Sequence, residues 1–361
     1  MSLEYILEQC IIGRRLQIPI SEARFKELAN AREVLSAALA FEQRYELLLG
    51  NFLAMELAFS EIGLRAKVEP QYRYPAVAEF LEKANRHVVN LLTAMRGYAD
   101  QVVQDFKCLE LEPEFGVVAK SALSRAYDQS ADYRFMCGMR NHVQHKATAV
   151  HGFVANDEST GDANSWAESV KFIANRSTLQ GDRVFKTRIL DEQPEKIDLR
   201  RCARRSVRDL GAVHLVLREI AKDQVARARS VVANAIHDYQ EAGADSVVGL
   251  GARRVGYPDE DVPLFLDWDD IRLQLVDKNG SLPQLWPDRT HREPKVEQIV
   301  ALREEVKHTR AQAAAAVFVS EERWQDYEAG LPMPEGLFIL YKLQVGRHPT
   351  HALQLSNAVA E

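Results

Sequence analysis

Three side chains with the chemistry of phosphate transfer lie close together in the segment from Tyr133 to His145: Arg140, Asn141 and His145. A histidine titrates near neutral pH, with an ordinary pKa of about 6.5, so it can take the proton from the 2′-hydroxyl of RNA. An arginine is a permanently charged, forked donor to phosphate oxygens. The combination predicts RNA cleavage by transesterification, which requires neither a metal nor another cofactor.

The spacing of these residues predicts how they would be assembled. Arg140 and His145 are five positions apart, so on a regular helix they point about 140° apart and do not share a face. Two such helices that meet across a two-fold axis would pool both pairs in one cleft. We therefore expect a homodimer with a composite site.

Two other interpretations of this segment remain open. The three residues can instead cap and cross-link a helical bundle without any catalytic role. Alternatively, His142 and His145 share a helix face at spacing i, i+3 and would bind a metal together with His151. No Asp or Glu occurs between Tyr133 and Val154 to complete such a site, so we predict no metal.

The elements that position this segment follow from the apolar spacing. Between residues 21 and 150, apolar side chains recur every three or four positions, which is typical of helices. Gly50–Asn51 is predicted to bend the first helix and Gly63 to end it. Helices with short connections form an antiparallel bundle, and the four predicted here are residues 22–63, 76–108, 113–127 and 132–150.

The motif and its place in the bundle resemble the HEPN superfamily over residues 20–150. The resemblance is carried by Arg140-Asn141 with His145, by the preceding Tyr133-Arg134-Phe135, and by a polar-studded helix from Asn90 to Asp100. It implies a dimeric, metal-independent ribonuclease of toxin–antitoxin or phage-defence type, with an antitoxin or defence protein as partner. It also implies that Arg140 stabilises the phosphate, His145 acts as general base or acid, and Asn141 orients them. Ala147 stands where one subgroup of the family has a tyrosine.

Residues 151–276 are predicted to form a middle α+β region. Asp198 is a candidate N-cap for a helix that reaches Gln240, and strands are predicted at 170–173, 184–190, 262–266 and 271–276. The helix carries a broad basic face that we expect to contact an RNA backbone. Its arginines are Arg200, Arg201, Arg204, Arg205 and Arg208. The alternative is a face neutralised by acids such as Asp209 and Glu219.

The C-terminal residues 295–361 are predicted to form a separate helical domain. Thr309 and Ser320 are candidate N-caps of two short helices, and Gly330 is placed to end the second. Trp324 and Tyr327 share the buried face of that second helix. This pattern resembles the helix-turn-helix of phage repressors (XRE type), which implies DNA binding through the second helix. The implied DNA-binding residues are Arg310, Gln312, Glu321, Glu322, Arg323 and Gln325.

Composition restricts the function classes further. The formal net charge is −6, so no overall basic field holds nucleic acid non-specifically. The four cysteines are far apart, which argues against a disulfide framework or a zinc site. No apolar run reaches the ~18–20 residues of a membrane span, and the N-terminus lacks the pattern of a secretory signal, so we expect a cytoplasmic protein.

These expectations combine into a mainly α protein with a HEPN-like four-helix bundle (1–150), a middle α+β region (151–276), a linker (277–294) and a helix-turn-helix domain (295–361). The expected function is a metal-independent endoribonuclease whose helix-turn-helix serves targeting or autoregulation. The alternative is a DNA-binding transcriptional regulator whose helical N-terminal part is a non-catalytic dimerisation or RNA-binding module.

Overall fold

The computed structural model of the chain describes residues 4–10, 16–68, 74–109, 111, 113–145, 147–155, 170–180, 185, 187–283, 294, 296–331 and 333–347. These residues are mainly helical and also form small antiparallel sheets. They fall into two units, which divide in sequence between Leu285 and Trp286. The division lies within the predicted linker, most of which is outside the described residues.

The first unit contains α1 (Glu22–Val68), α2 (Tyr74–Val102), α3 (Phe115–Gln129) and α4 (Ala131–His145). These are the four predicted helices, with differences at their ends. α1 continues through Gly50 and Gly63, so the predicted end at Gly63 is wrong. A glycine costs a helix interior only about 1 kcal/mol. The burial of Leu35, Leu48 and Phe59 along α1 outweighs that cost.

The bundle is completed by a helix from beyond residue 150. α5 (Arg176–Gln180) and α6 (Thr187–Asp191) are short, and α7 (Leu199–Glu241) is long and packs against α1, α3 and α4. The Asp198 side chain caps α7 by accepting from the backbone N–H groups of Arg200 and Arg201, as predicted. Because the buried face of α7 belongs to the same core, the first unit runs to Leu285 and the predicted boundary at residue 150 is wrong.

Two segments predicted as strands are helical. α6 overlaps the predicted strand 184–190, of which residues 184 and 186 are outside the described residues, and α8 (Asp267–Lys278) covers the predicted strand 271–276. A short apolar run does not by itself distinguish a strand from a helical segment. Three acids in the first turn of α8 favour the helix because they interact with the positive end of its dipole.

The strands are β1 (Tyr5–Gln9), β2 (Gln17–Pro19), β3 (Gly152–Ala155), β4 (Val170–Asn175), β5 (Lys196–Asp198), β6 (Leu250–Arg254) and β7 (Val262–Pro263). They form one sheet of order β2-β1-β6-β7 and another of order β3-β4-β5. β4 confirms the strand predicted at 170–173, and β7 covers the start of the one predicted at 262–266. The sequence does not predict β1, which places Leu7 opposite Ala252 on β6.

One described helix, α1, is long and apolar enough between Glu22 and Ala66 to cross a membrane by length and composition. Core helices pass the same test, so this is weak evidence for a span. In the structure α1 packs against α2, α7 and α8, and its apolar residues form a large part of the core of the first unit. Burial accounts for only part of its composition, because Leu47, Leu53 and Leu57 on the same helix are more than half exposed.

The second unit contains α9 (Val296–Glu305), α10 (Arg310–Ala316), α11 (Glu321–Glu328) and α12 (Glu335–Gln344). Both predicted caps are present: Thr309 forms a reciprocal capping box with Gln312, and the Ser320 hydroxyl accepts from the backbone N–H of Arg323. Trp324 and Tyr341 are completely buried at the centre of this unit, with their rings 4.8 Å apart.

Candidate functional site

The candidate motif occupies the last turns of α4. The Ser130 hydroxyl accepts from the backbone N–H of Tyr133 at the start of this helix. Phe135, Met136 and Met139 are completely or almost completely buried, which fixes the rotation of the helix. The same rotation leaves Arg140 half-buried and Asn141 exposed.

Arg140 and Asn141 are brought together. The Nη1 of Arg140 donates to the Oδ1 of Asn141 at 3.1 Å. The Nε of Arg140 is buried and has no hydrogen-bond partner among the described residues. A buried donor without a partner is costly, and a bound anion would satisfy it. Both side chains line a cavity of about 520 Å³ bounded by α2, α3 and α4.

His145 is not part of that cavity. It is the last residue of α4 and is exposed, and it does not contribute to the lining formed by Arg140 and Asn141. The structure thus places the arginine and the histidine on different sides of the helix, which is the divergence expected from their spacing. Within one chain, the described residues do not form a single Arg–His site.

The cavity lining is basic. Arg96 from α2, Lys120 from α3 and Arg140 contribute three cations against one acid, Asp100. The Nε of Arg96 lies 2.7 Å from the Oδ2 of Asp100, so one of these cations is already paired. The sequence predicts the polar segment that holds Arg96 but not the role of Lys120, because a single exposed lysine on a helix carries no local signal of a site.

Tyr133 and Cys137 also line the cavity, and both are poor nucleophiles there. Burial raises the pKa of Cys137 to about 11, so its side chain is a thiol at neutral pH. Burial also raises the pKa of Tyr133 far above its ordinary value. Covalent catalysis by either residue at neutral pH is therefore not favoured.

The histidines considered as metal ligands differ in environment. His142 is buried, with its ring 5.8 Å from that of Phe185, whereas His145 is exposed. The Nδ1 of His151 accepts from the backbone N–H of Asn175 at 2.9 Å, and burial lowers its pKa. Among the described residues, no group of three metal-binding side chains is assembled.

The basic face predicted on α7 is largely engaged inside the protein. Arg200 and Arg204 each donate through Nε to Glu56 of α1 at 2.8 Å. Burial opposes ionisation of Glu56, but the hydrogen bonds from these arginines outweigh it and hold its pKa below the ordinary value. The guanidinium groups are thus committed to a carboxylate that lies far away in sequence.

The next pair of arginines on α7 is engaged in the same way by α4. Arg201 and Arg205 approach the carboxylate of Asp132 at 3.4 Å and 3.0 Å. Arg208 is exposed. At least four of the five arginines predicted to contact RNA thus cross-link α7 to α1 and α4, because tertiary packing brings Glu56 and Asp132 against them.

The residues implied in DNA binding divide into two groups. Arg310 donates to Glu328 at 2.8 Å, and the side chain of Gln312 is used in the capping box, so both stabilise the unit itself. The other four are exposed on α11: Glu321, Glu322, Arg323 and Gln325. Of these, Arg323 and Gln325 carry hydrogen-bond donors suited to base edges.

Comparisons of the chain with protein-family models, with curated proteins and with solved structures find no match. A functional proposal for this chain therefore depends on the motif residues and their surroundings, and not on overall similarity.

Proposed function

We propose that the protein is a metal-independent endoribonuclease that acts as a homodimer, with Arg140 and Asn141 binding the phosphate and His145 transferring the proton. The observation that carries the proposal is the pairing of Arg140 with Asn141 beside a basic cavity, where the buried Nε of Arg140 has no partner among the described residues. The exposed His145 at the end of α4 is available to a second copy of the chain.

The chemistry is a transesterification at one phosphodiester. His145 takes the proton of the 2′-hydroxyl, the 2′-oxygen forms a bond to phosphorus, and the bond from phosphorus to the 5′-oxygen breaks. The leaving 5′-oxygen takes up a proton from the second histidine of the dimer or from water. Arg140 stabilises the charge that builds up on the non-bridging oxygens, and the products are a 2′,3′-cyclic phosphate and a 5′-hydroxyl.

The test is cleavage of single-stranded RNA by the full-length protein, or by a form freed of an inhibitory partner, with EDTA present. His145→Ala is expected to abolish cleavage, since the loss of general acid–base help typically costs ~10²–10⁴-fold. Arg140→Ala is expected to cost a comparable factor, and Arg140→Lys should not fully restore activity, because an ammonium group cannot make the forked contact.

Gln144→Ala, an exposed neighbour on α4, is the matched control and should cleave like the wild type. Circular dichroism and melting must show that every variant is folded. If the wild type cleaves no RNA while Arg140→Ala and His145→Ala melt several degrees lower, the two residues are structural and the proposal is wrong.

A second candidate function is DNA binding by the C-terminal unit, with the protein acting as a regulator. Two observations favour it: α10 and α11 are both capped, and Arg323 and Gln325 are exposed on α11. We propose that this unit is a helix-turn-helix that targets or autoregulates the ribonuclease. Residues 295–361 hold seven Lys or Arg against nine Asp or Glu, so few phosphates can be neutralised and the salt dependence should be modest.

Selection from random-sequence DNA with the full-length protein tests this proposal. Arg323→Ala should remove sequence preference, whereas Arg347→Ala, an exposed arginine paired with Glu305 beyond α12, should not. Tight binding to every DNA sequence, unaffected by Arg323→Ala, would contradict it.

A further inference from the structure

We propose that the cavity beside Arg140 is a subsite for one unstacked nucleobase of a single-stranded RNA, whose adjoining phosphate lies on Arg140. This inference rests on the proposed ribonuclease function and specifies its substrate: a strand that can turn one base out of its stack. The cavity lies between α2, α3 and α4. Of the three motif residues, Arg140 and Asn141 line it.

The volume and the lining suit a base. At about 520 Å³, the cavity falls within the ~300–1,000 Å³ of small-ligand pockets. Its interior is mostly apolar, with Leu92, Met95, Leu123 and Met136 among the lining residues. A half-buried aromatic residue, Tyr127, also lines the cavity, and bases stack on aromatic side chains.

The charges are arranged for a nucleotide rather than for a purely apolar ligand. Arg96, Lys120 and Arg140 together exceed the single acid, Asp100, so the lining attracts an anion. The guanidinium group of Arg140, which lines the cavity, can donate to a phosphate oxygen. An apolar interior with cations in its lining matches the two halves of a nucleotide, a flat base and a charged phosphate.

The enclosure by three helices selects for single strands. A base inside a duplex is stacked on both faces and cannot enter such a cavity without being extruded. Bases in single-stranded loops and ends splay out at little cost and stack on aromatic side chains. The cavity should therefore contribute to binding only when the strand supplies an unpaired base.

The experiment compares two uncleavable probes: a 2′-O-methylated RNA oligomer, and an oligomer of the same length and charge with an abasic backbone. Full-length wild-type protein should bind the base-bearing oligomer at least about tenfold more tightly by fluorescence anisotropy. Ser124→Phe places a ring in the cavity from α3 and should remove this preference while abasic binding persists.

Ser121→Phe is the matched control, because Ser121 is exposed on the same helix but does not line the cavity. It should keep the preference of the wild type. Ala99→Leu fills the cavity from α2 and provides a second test should Ser124→Phe fail to fold. A preference that survives both filling variants overturns the proposal, as does adenosine monophosphate binding as tightly as the oligomer, which would make this a free-nucleotide site.

The two proposals can fail separately. His145 does not line the cavity, so His145→Ala should abolish cleavage but keep the preference for the base-bearing oligomer. If RNA is cleaved but filling the cavity leaves the base preference intact, the subsite is wrong and the ribonuclease stands. If filling removes the preference but the wild type cleaves no RNA, the ribonuclease proposal is wrong and the base subsite stands.

Discussion

Glu56 is a largely buried carboxylate that cross-links α1 to α7. Its carboxylate receives hydrogen bonds from Arg200 and Arg204, and its side chain is only 17% exposed. Removing the charge of one partner from such a cluster leaves the other charges desolvated without compensation. The loss of any one charged partner should therefore destabilise the fold by more than the energy of a single hydrogen bond.

We expect Glu56→Gln to lower the free energy of unfolding by about 3 kcal/mol, since breaking a buried ion pair typically costs ~3–5 kcal/mol. Urea unfolding followed by circular dichroism measures this. Glu219→Gln is the control: Glu219 pairs with Lys222, but their side chains are 72% and 62% exposed, so its loss should be less than about 1 kcal/mol. Equal effects of the two variants would contradict this account.

His214 is a completely buried histidine of α7 in the first unit. Its ring stacks between Phe41 and Tyr45 at 4.1 Å and 4.0 Å. Its Nδ1 lies 3.1 Å from the Tyr98 hydroxyl, and its Nε2 lies 3.1 Å from Glu42. Burial lowers the pKa of His214 below its ordinary value of 6.5, although the bond to Glu42 acts in the opposite direction.

Because the unfolded histidine binds a proton at a higher pH than the folded one, stability should fall as the pH drops below about 6.5. His214→Gln removes the titrating group and should make the melting temperature less dependent on pH between 7 and 5. The exposed His237, changed to Gln, should leave that dependence unchanged. A pH dependence identical in all three proteins would assign it to other groups.

At the scale of elements, the turn between α10 and α11 holds an unusual residue. Phe318 has a φ of 58° and is 84% exposed. The left-handed region costs an L-residue roughly 1–2 kcal/mol, whereas glycine adopts it without that cost. The conformation of this turn is therefore kept at some cost in stability.

Phe318→Gly is expected to stabilise α10 and α11 by about 1 kcal/mol, because it removes the backbone strain. Hydrogen exchange of the α10 and α11 amides in the full-length protein measures the gain. Phe318→Ala removes the ring but keeps the strained φ, so it should give little gain. An equal gain in protection in both variants would contradict this account, because it would assign the loss of stability to the exposed ring and not to the backbone.

The helices also show which features can be predicted from residues that are neighbours in the sequence. The caps at Asp198, Thr309 and Ser320 were predicted correctly, because a cap is formed by residues within one turn. The helix at 267–278 was mistaken for a strand, because its short apolar run fits either element. Local sequence thus predicts long amphipathic helices and their starts better than short elements.

At the scale of the whole molecule, the divergence of Arg140 and His145 requires a second copy of the chain for the proposed chemistry. Mixing folded Arg140→Ala with folded His145→Ala should restore cleavage that neither variant has alone. A mixed dimer keeps one Arg140 and one His145 in the shared cleft, whereas each pure dimer lacks one of them entirely.

Subunit exchange in the mixture should be verified by native mass spectrometry with an isotope-labelled variant. Mixed dimers that remain inactive would contradict a composite site. A wild-type protein that is monomeric at tens of micromolar by light scattering would exclude the dimeric site altogether.

The sequence by itself determined the helices α1 to α4, the start of α7, the separate C-terminal helices and the angular separation of Arg140 from His145. Each depends on residues within a few turns of one another. The tertiary structure alone decided that Glu56 and Asp132 neutralise the arginines of α7, that Lys120 joins Arg140 at one cavity, and that β1 pairs with β6. These contacts join residues far apart in the chain, and their partners are chosen by how whole helices and strands pack, which no local pattern encodes.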